Sequence, residues 1–177
     1  LHDLSEKVES TRRLHIRNAE NFTTIFSLLS SMDTNSDFED YLNTLLFDYK
    51  ISNVYELSIV FYKEPVMLQK EDDFKVPEDA EFVFYSNSIT HKHLLNLGEN
   101  KLPVNPRKEL VRNDKIDDLY GTYMLFPIYN KAMNYGYLLF HFYGNNYSLF
   151  SIYAKILANS IFQAYSNTNN IVMRKEL

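Results

Sequence analysis

The first 32 positions carry a seam that recurs at alternating intervals of four and three: Leu4, Val8, Thr11, His15, Asn18, Phe22, Ile25, Leu29 and Met32. Side chains at that spacing line one stripe of a helix and match a heptad repeat. Glu6, Lys7, Glu9, Arg12, Arg13, Arg17 and Glu20 fall off the stripe, and no Pro or Gly interrupts it. The polar members Thr11, His15 and Asn18 weaken a static coiled coil; they also fit a parallel two-helix contact whose register they specify, or one that is only marginally stable. Two readings stand: a helix that pairs with a second copy, or a single amphipathic helix that caps the domain behind it.

A polar break at 31–37 offers Ser36 or Asp37 as the N-cap of a second helix over about 38–49, with Phe38, Tyr41, Leu42, Leu45 and Leu46 on one face. The pattern then changes period. Residues 55–62 alternate, with Leu57, Ile59 and Phe61 on one side, and predict a strand closed by Glu64-Pro65. Residues 81–86 predict another strand, and 88–97 a strand or an irregular edge. Between 98 and 118, Gly98, Pro103 and Pro106 lie among scattered charges and predict a long loop over the sheet. Residues 122–129 and 135–143 predict two strands joined by a turn at 130–134, with Met124, Phe126 and Ile128 sharing one face, and Leu138, Phe140 and Phe142 another. Pro127 lacks an N–H and marks an edge or a bulge. A final helix over 148–165 presents Leu149, Ile152, Tyr153, Ile156, Leu157, Ser160, Ile161 and Ala164 as a broad apolar stripe.

This order predicts an α+β domain with a central antiparallel sheet flanked by helices, the long first and last helices packed together. The candidate dimer positions are Leu4, Val8, His15 and Phe22 from the first helix and Ile152 and Ile156 from the last. Composition agrees with one ordered domain: 177 residues, 45% of them hydrophobic, with 14 Tyr and 13 Phe. A net charge of −5 argues against a nucleic-acid surface. No apolar run reaches the roughly 20 residues of a membrane-spanning helix. The absence of Cys removes disulfides, thiolate metal sites and Cys nucleophiles. The opening LHDLSEKVESTRRLH is unlike a signal peptide and reads as a helix already in progress, so the chain is expected to be a middle segment of a longer protein.

The segments RNAENFTTIFSLLSS (17–31), DFEDYLNTLLFDYKISNVYELSIVFYKEP (37–65), LPVNPRKELV (102–111) and MLFPIYNKAMNYGYLLFHFYGNNYSLFSIYAKILANSIFQAY (124–165) carry a resemblance. They resemble the GAF-like segment, of the same broad architecture as PAS, found in certain bacterial signalling proteins and transcriptional regulators. Those proteins join a LacI-type, periplasmic-binding-protein-like sensor to a diguanylate cyclase or an AraC-type output domain. The resemblance implies a cytoplasmic, non-enzymatic regulatory domain. It divides the chain into a signalling and dimerisation helix (1–32), a GAF-like domain (33–168) and a linker (169–177). The Asn-Lys-x-n-Phe-x₃-Asp-Glu motif of cyclic-nucleotide GAF domains is missing, as is the Cys that holds a bilin.

Candidate chemistry is sparse. His91-x-His93 places two imidazoles on one face of an extended segment, but a zinc site needs further ligands and none is positioned by spacing. His141 has the opposite parity to Leu138 and Phe140 and is expected to face the helices or solvent. Glu71-Asp72-Asp73 and Asp117-Asp118 read as solvated loop acids. No Gly-x-Ser-x-Gly elbow or Gly-rich phosphate loop is present. The remaining candidate is an aromatic pocket for a small molecule: Tyr62, Phe82, Phe84, Tyr123 and Phe126 on the sheet, with Arg107 in the loop that closes over it. Core packing alone needs such bulk, and that reading of the same aromatics is the favoured one. Expected partners are therefore a second copy and a small molecule, with no cofactor, metal, nucleic acid or membrane.

Overall fold

The computed structural model describes residues 4–16, 23, 38, 40–41, 54–67, 75–96, 102–117, 122–142, 154–155 and 157–168, and the side chains of all of these except 54 and 142. Among the described residues six strands form one antiparallel sheet: β1 (Val54–Met67), β2 (Ala80–Asn87), β3 (His93–Leu95), β4 (Leu102–Val104), β5 (Tyr123–Asn130) and β6 (Met133–Phe142). The order across the sheet is β3-β2-β1-β6-β5, and β4 also pairs with β2. β3 lies against Phe84–Ser86 and β4 against Ala80–Phe82, so the two short strands share the outer edge of β2 end to end. Helical segments are α1 (residues 4–16) and α2 (residues 157–168), with 154 and 155 also helical, as are 23, 38, 40 and 41.

β1 does not stop at Glu64-Pro65 as its sequence predicts. It continues to Met67, and its pairing with β6 breaks between Phe61 and Val66. Pro65 falls inside that break, where no ladder N–H is needed. The close approach of β6 there depends on Gly136. Its φ is +149°, and a Cβ on it would sit 2.0 Å from the Val60 carbonyl oxygen. The β5–β6 turn is tighter than the sequence suggests, reduced to Lys131 and Ala132, with Lys131 in the left-handed region at φ 53°. Pro127 lies in β5, the edge strand.

Both faces of the sheet are covered. One packs Leu57, Ile59, Phe61, Phe84, Ile128, Leu138 and Phe140 against Phe38, Tyr41 and the α2 side of the chain, where Ala154, Ala158 and Ala164 allow close approach. Phe61 stacks on Tyr165 at 4.3 Å, and Phe38 meets both rings edge-on at 5.9 and 5.6 Å. Such pairs add about 0.5–1.5 kcal/mol each beyond their area. The other face packs Val60, Tyr62, Phe82, Tyr85, Tyr137 and Leu139 beneath a strap formed by β4 and residues 105–117, whose Val104, Val111 and Ile116 fill it. Of the expected 98–118 loop, residues 102–117 are described: its Leu102–Val104 form β4 in the sheet, and 105–117 lie over the sheet as their composition predicts.

A register shift between Ile59 and Val60 sets Val83 as the extra residue of β2. Before it Phe82 faces the strap, and after it Tyr85 and Asn87 do, while Val83 and Phe84 both join the helix-side core. Strict alternation over 81–86 cannot produce that arrangement. By contrast, every described residue of α1 is exposed, so the expected packing of the first helix against the last is not part of the described contacts.

Candidate functional site

The strap face carries one polar row. Register makes Glu56 the partner of Asn87 on β2 and of His141 on β6, and His141 the partner of Tyr123 on β5. Four adjacent strands therefore set Asn87, Glu56, His141 and Tyr123 side by side, with Tyr85 two residues back along β2. Glu56 is 4% exposed. A carboxylate so buried is tolerated only if its lone pairs are met.

They are met on both oxygens. Oε1 accepts from the Tyr85 hydroxyl at 2.8 Å and from Asn87 Nδ2 at 2.7 Å. Oε2 accepts a short hydrogen bond from the Tyr123 hydroxyl and lies 3.5 Å from His141 Nδ1. The His141 ring stacks on Tyr123 at 4.6 Å and meets Tyr55 edge-on at 5.6 Å. His141 thus faces the strap side beside Glu56, not the helices. The expected parity of β6 holds, since Leu138 and Phe140 face the helix side, and the opposite face to which His141 turns is covered by the strap.

The end of the strap joins the same network. Asp117 Oδ2 lies 3.0 Å from Asn87 Nδ2 and 3.2 Å from the Tyr85 hydroxyl. It also accepts from Thr90 Oγ1 at 2.7 Å, and Lys92 Nζ is 3.4 Å from Oδ1. Counting protons resolves the sharing. Asn87 Oδ1 accepts from the Ile89 and Thr90 backbone N–H groups at 2.9 and 3.0 Å. That fixes the amide orientation and leaves its two Nδ2 protons for the two carboxylates. Tyr85 has one proton, and the shorter contact assigns it to Glu56. Its oxygen then accepts the Asp117 N–H at 3.3 Å.

The titration of these groups follows from their surroundings. Burial, with the Glu56 charge adding to it, holds the Tyr85 phenol above its ordinary range, so it remains a donor. The Thr90 hydroxyl, followed by the charge of Lys92, holds the Asp117 carboxyl below its ordinary 3.8. Asp117, read from sequence as a solvated loop acid, is instead the strap's anchor. Further along the strap, Tyr137 donates a short hydrogen bond to the Leu110 carbonyl, and burial raises its phenol. Arg112 clamps Asp114 at 2.8 and 2.9 Å and reaches the Pro103 carbonyl at 3.2 Å.

The residues expected to bind a small molecule are not gathered in one place. Tyr62 and Phe82 are buried under the strap, and Tyr123 sits half-buried at its margin. Phe84 and Phe126 belong to the opposite, helix-side core. Arg107 is exposed; it donates to the Val76 carbonyl at 2.6 Å and pairs with Glu78. Of the dimer positions, Leu4, Val8 and His15 lie exposed on α1, whereas Phe22, Ile152 and Ile156 fall outside the described residues. His91 and His93 are exposed, and among the described residues no three His, Asp or Glu groups are arranged to hold a metal.

Chemically, the arrangement is a latch. Donors from β2 bridge a sheet carboxylate and a strap carboxylate, so the strap's end is held by the same atoms that satisfy Glu56. Sequence reasoning missed it because each of its bridging bonds joins residues 29 to 32 positions apart along the chain. The available signal was Glu56 and Ser58 alternating with Leu57 and Ile59, and Tyr85 and Asn87 at the same two-residue spacing. Comparison with known families, with characterised proteins and with solved structures finds no match for this chain. No helix among the described residues is long and apolar enough to cross a membrane.

Proposed function

We propose that this chain is a non-enzymatic regulatory domain, GAF-like in kind, that relays a signal within a larger cytoplasmic bacterial protein and associates with a second copy through α1. The observation that carries this reading is the exposure of the α1 seam: Leu4 is 70% and Val8 63% exposed. An apolar stripe at heptad spacing, left in water beside a sheet covered on both faces, is suited to pairing with another helix. The latch supports the same reading. Its polar atoms are engaged in holding the strap, which is the chemistry of a fixed scaffold. Relay then consists of a change in how paired helices pack, driven by a neighbouring domain.

Sedimentation analysis tests this directly. The expected result is a reversible dimer that Leu4→Glu with Val8→Glu converts to monomer, with circular dichroism and Tm unchanged. A wild-type monomer at 100 µM would end the dimer reading.

A second reading, a small-molecule sensor, is favoured by the gathering of Tyr62, Phe82, Tyr85 and Tyr137 beneath a strap anchored by a few polar contacts. A ligand held there must displace Val111 and Ile116. A metabolite screen by thermal shift tests it; a hit whose effect is lost in Val111→Trp supports the sensor.

A further inference from the structure

The charges on α1 are not spread evenly around its axis. At 100° per residue, Thr11, Leu4, His15 and Val8 span one narrow stripe. Lys7 and Leu14 border it on one side, Arg12 and Ile16 on the other. The acids Glu6 and Glu9 lie on the far side, where Glu9 pairs with Arg13 at 2.7 Å. The margins of the apolar stripe are therefore cationic, and its back carries both signs.

Resting on the reading of α1 as a self-association helix, we infer that the two copies pair antiparallel. In heptad terms Val8 and His15 are a positions, Leu4 and Thr11 d positions, Lys7 and Leu14 g positions, and Ser5 and Arg12 e positions. A parallel pair sets Lys7 of one copy against Arg12 of the other, twice, since parallel coils bring g against the following e. It also stacks Thr11 on Thr11 and His15 on His15 in successive layers. An antiparallel pair brings a against d, g against g and e against e. Val8 then meets Thr11, and Leu4 meets His15 at the ends of α1, where the imidazole reaches water; this contact does not use Phe22, the remaining first-helix position expected to pair. Lys7 lies along Leu14, covering it with its aliphatic stem, and Arg12 lies near Ser5. No like charges are opposed, and the two helix dipoles run in opposite senses.

The lack of native cysteine makes the test clean. Full-length chains bearing Val8→Cys or Thr11→Cys are mixed, oxidised mildly and separated without reductant. Antiparallel pairing gives the mixed Val8→Cys/Thr11→Cys disulfide as the main product, about tenfold over either self-disulfide, because only the mixed pair shares a layer. A dominant Val8→Cys self-disulfide means a parallel pair and overturns the inference while leaving self-association standing. A chain that sediments as a monomer overturns both. Lys7→Glu gives a second readout without a crosslink. It turns a like-charge contact into an opposite-charge one only in the parallel pair, so the dimer Kd is expected to change less than about twofold. Tightening by fivefold or more would count against the antiparallel arrangement.

Discussion

On one face of the sheet, Phe38, Phe61 and Tyr165 meet ring against ring over a floor of Leu and Ile. On the other, a buried carboxylate sits among tyrosines under a strap tied down by hydrogen bonds. The first face is stabilised by area and shape, which tolerate few changes of volume. The second depends on each donor finding its acceptor, so its weakness lies in single atoms and in pH. One protein thus closes its two faces by different means, and the contrast can be broken from either side.

The largest effect belongs to the position that serves both faces. Gly136→Ala drives a Cβ into the Val60 carbonyl where β6 pairs with β1, and should cost about 4 kcal/mol or more; a Tm within a few degrees of wild type would refute that. Next comes the helix face, where Phe140→Ala empties a fully buried site. A loss of about 3–5 kcal/mol is expected in urea unfolding. On the strap face, Glu56→Gln keeps the volume but turns one acceptor into a donor facing donors, for about 1–3 kcal/mol. Asp117→Asn is milder still and local. Hydrogen exchange should quicken at 105–117 while β1 and β6 remain protected.

The pH dependence of the strap has a definite sign. Asp117's folded value lies below its ordinary 3.8, so its contribution is complete above that value and is lost only as pH falls through the lower, folded one. Strap protection should therefore survive at pH 4.5 and fail well into the acid range; loss near pH 6 would point to another group. The smallest effect is a gain. Lys131→Gly relieves a left-handed φ in the hairpin turn, worth about 1 kcal/mol, or about 2–4 °C in Tm.

The helix face was legible in the sequence because alternation is a local signal. Leu57, Ile59 and Phe61 announce it within one strand, as do Met124, Phe126 and Ile128, and the 98–118 loop declared itself by its Pro and Gly. The polar row beneath the strap was not legible. Glu56 looks like a solvent-side residue of a half-exposed strand, and only pairing with residues far along the chain shows that it is buried. The Val83 bulge hid it further, since strict alternation assigns Phe82 and Phe84 to one face when they belong to two. That bulge separates Phe82 from Phe84, while Tyr123 and Phe126 part by the ordinary parity of β5 and Arg107 turns outward to Glu78.

Asn87 carries a consequence of another kind, for how the molecule ages. Asn followed by a small residue such as Ser88 is prone to lose its amide nitrogen slowly, when the next backbone nitrogen attacks the side-chain carbonyl. In the folded chain that nitrogen donates instead to the Tyr55 carbonyl at 2.7 Å, and the side-chain oxygen is held by two N–H groups. The bonds that aim Asn87 at the carboxylates therefore also keep it from becoming a third one. A chain that unfolds often would lose this protection, and each converted molecule would place a new negative charge between Glu56 and Asp117, so its strap would not close again.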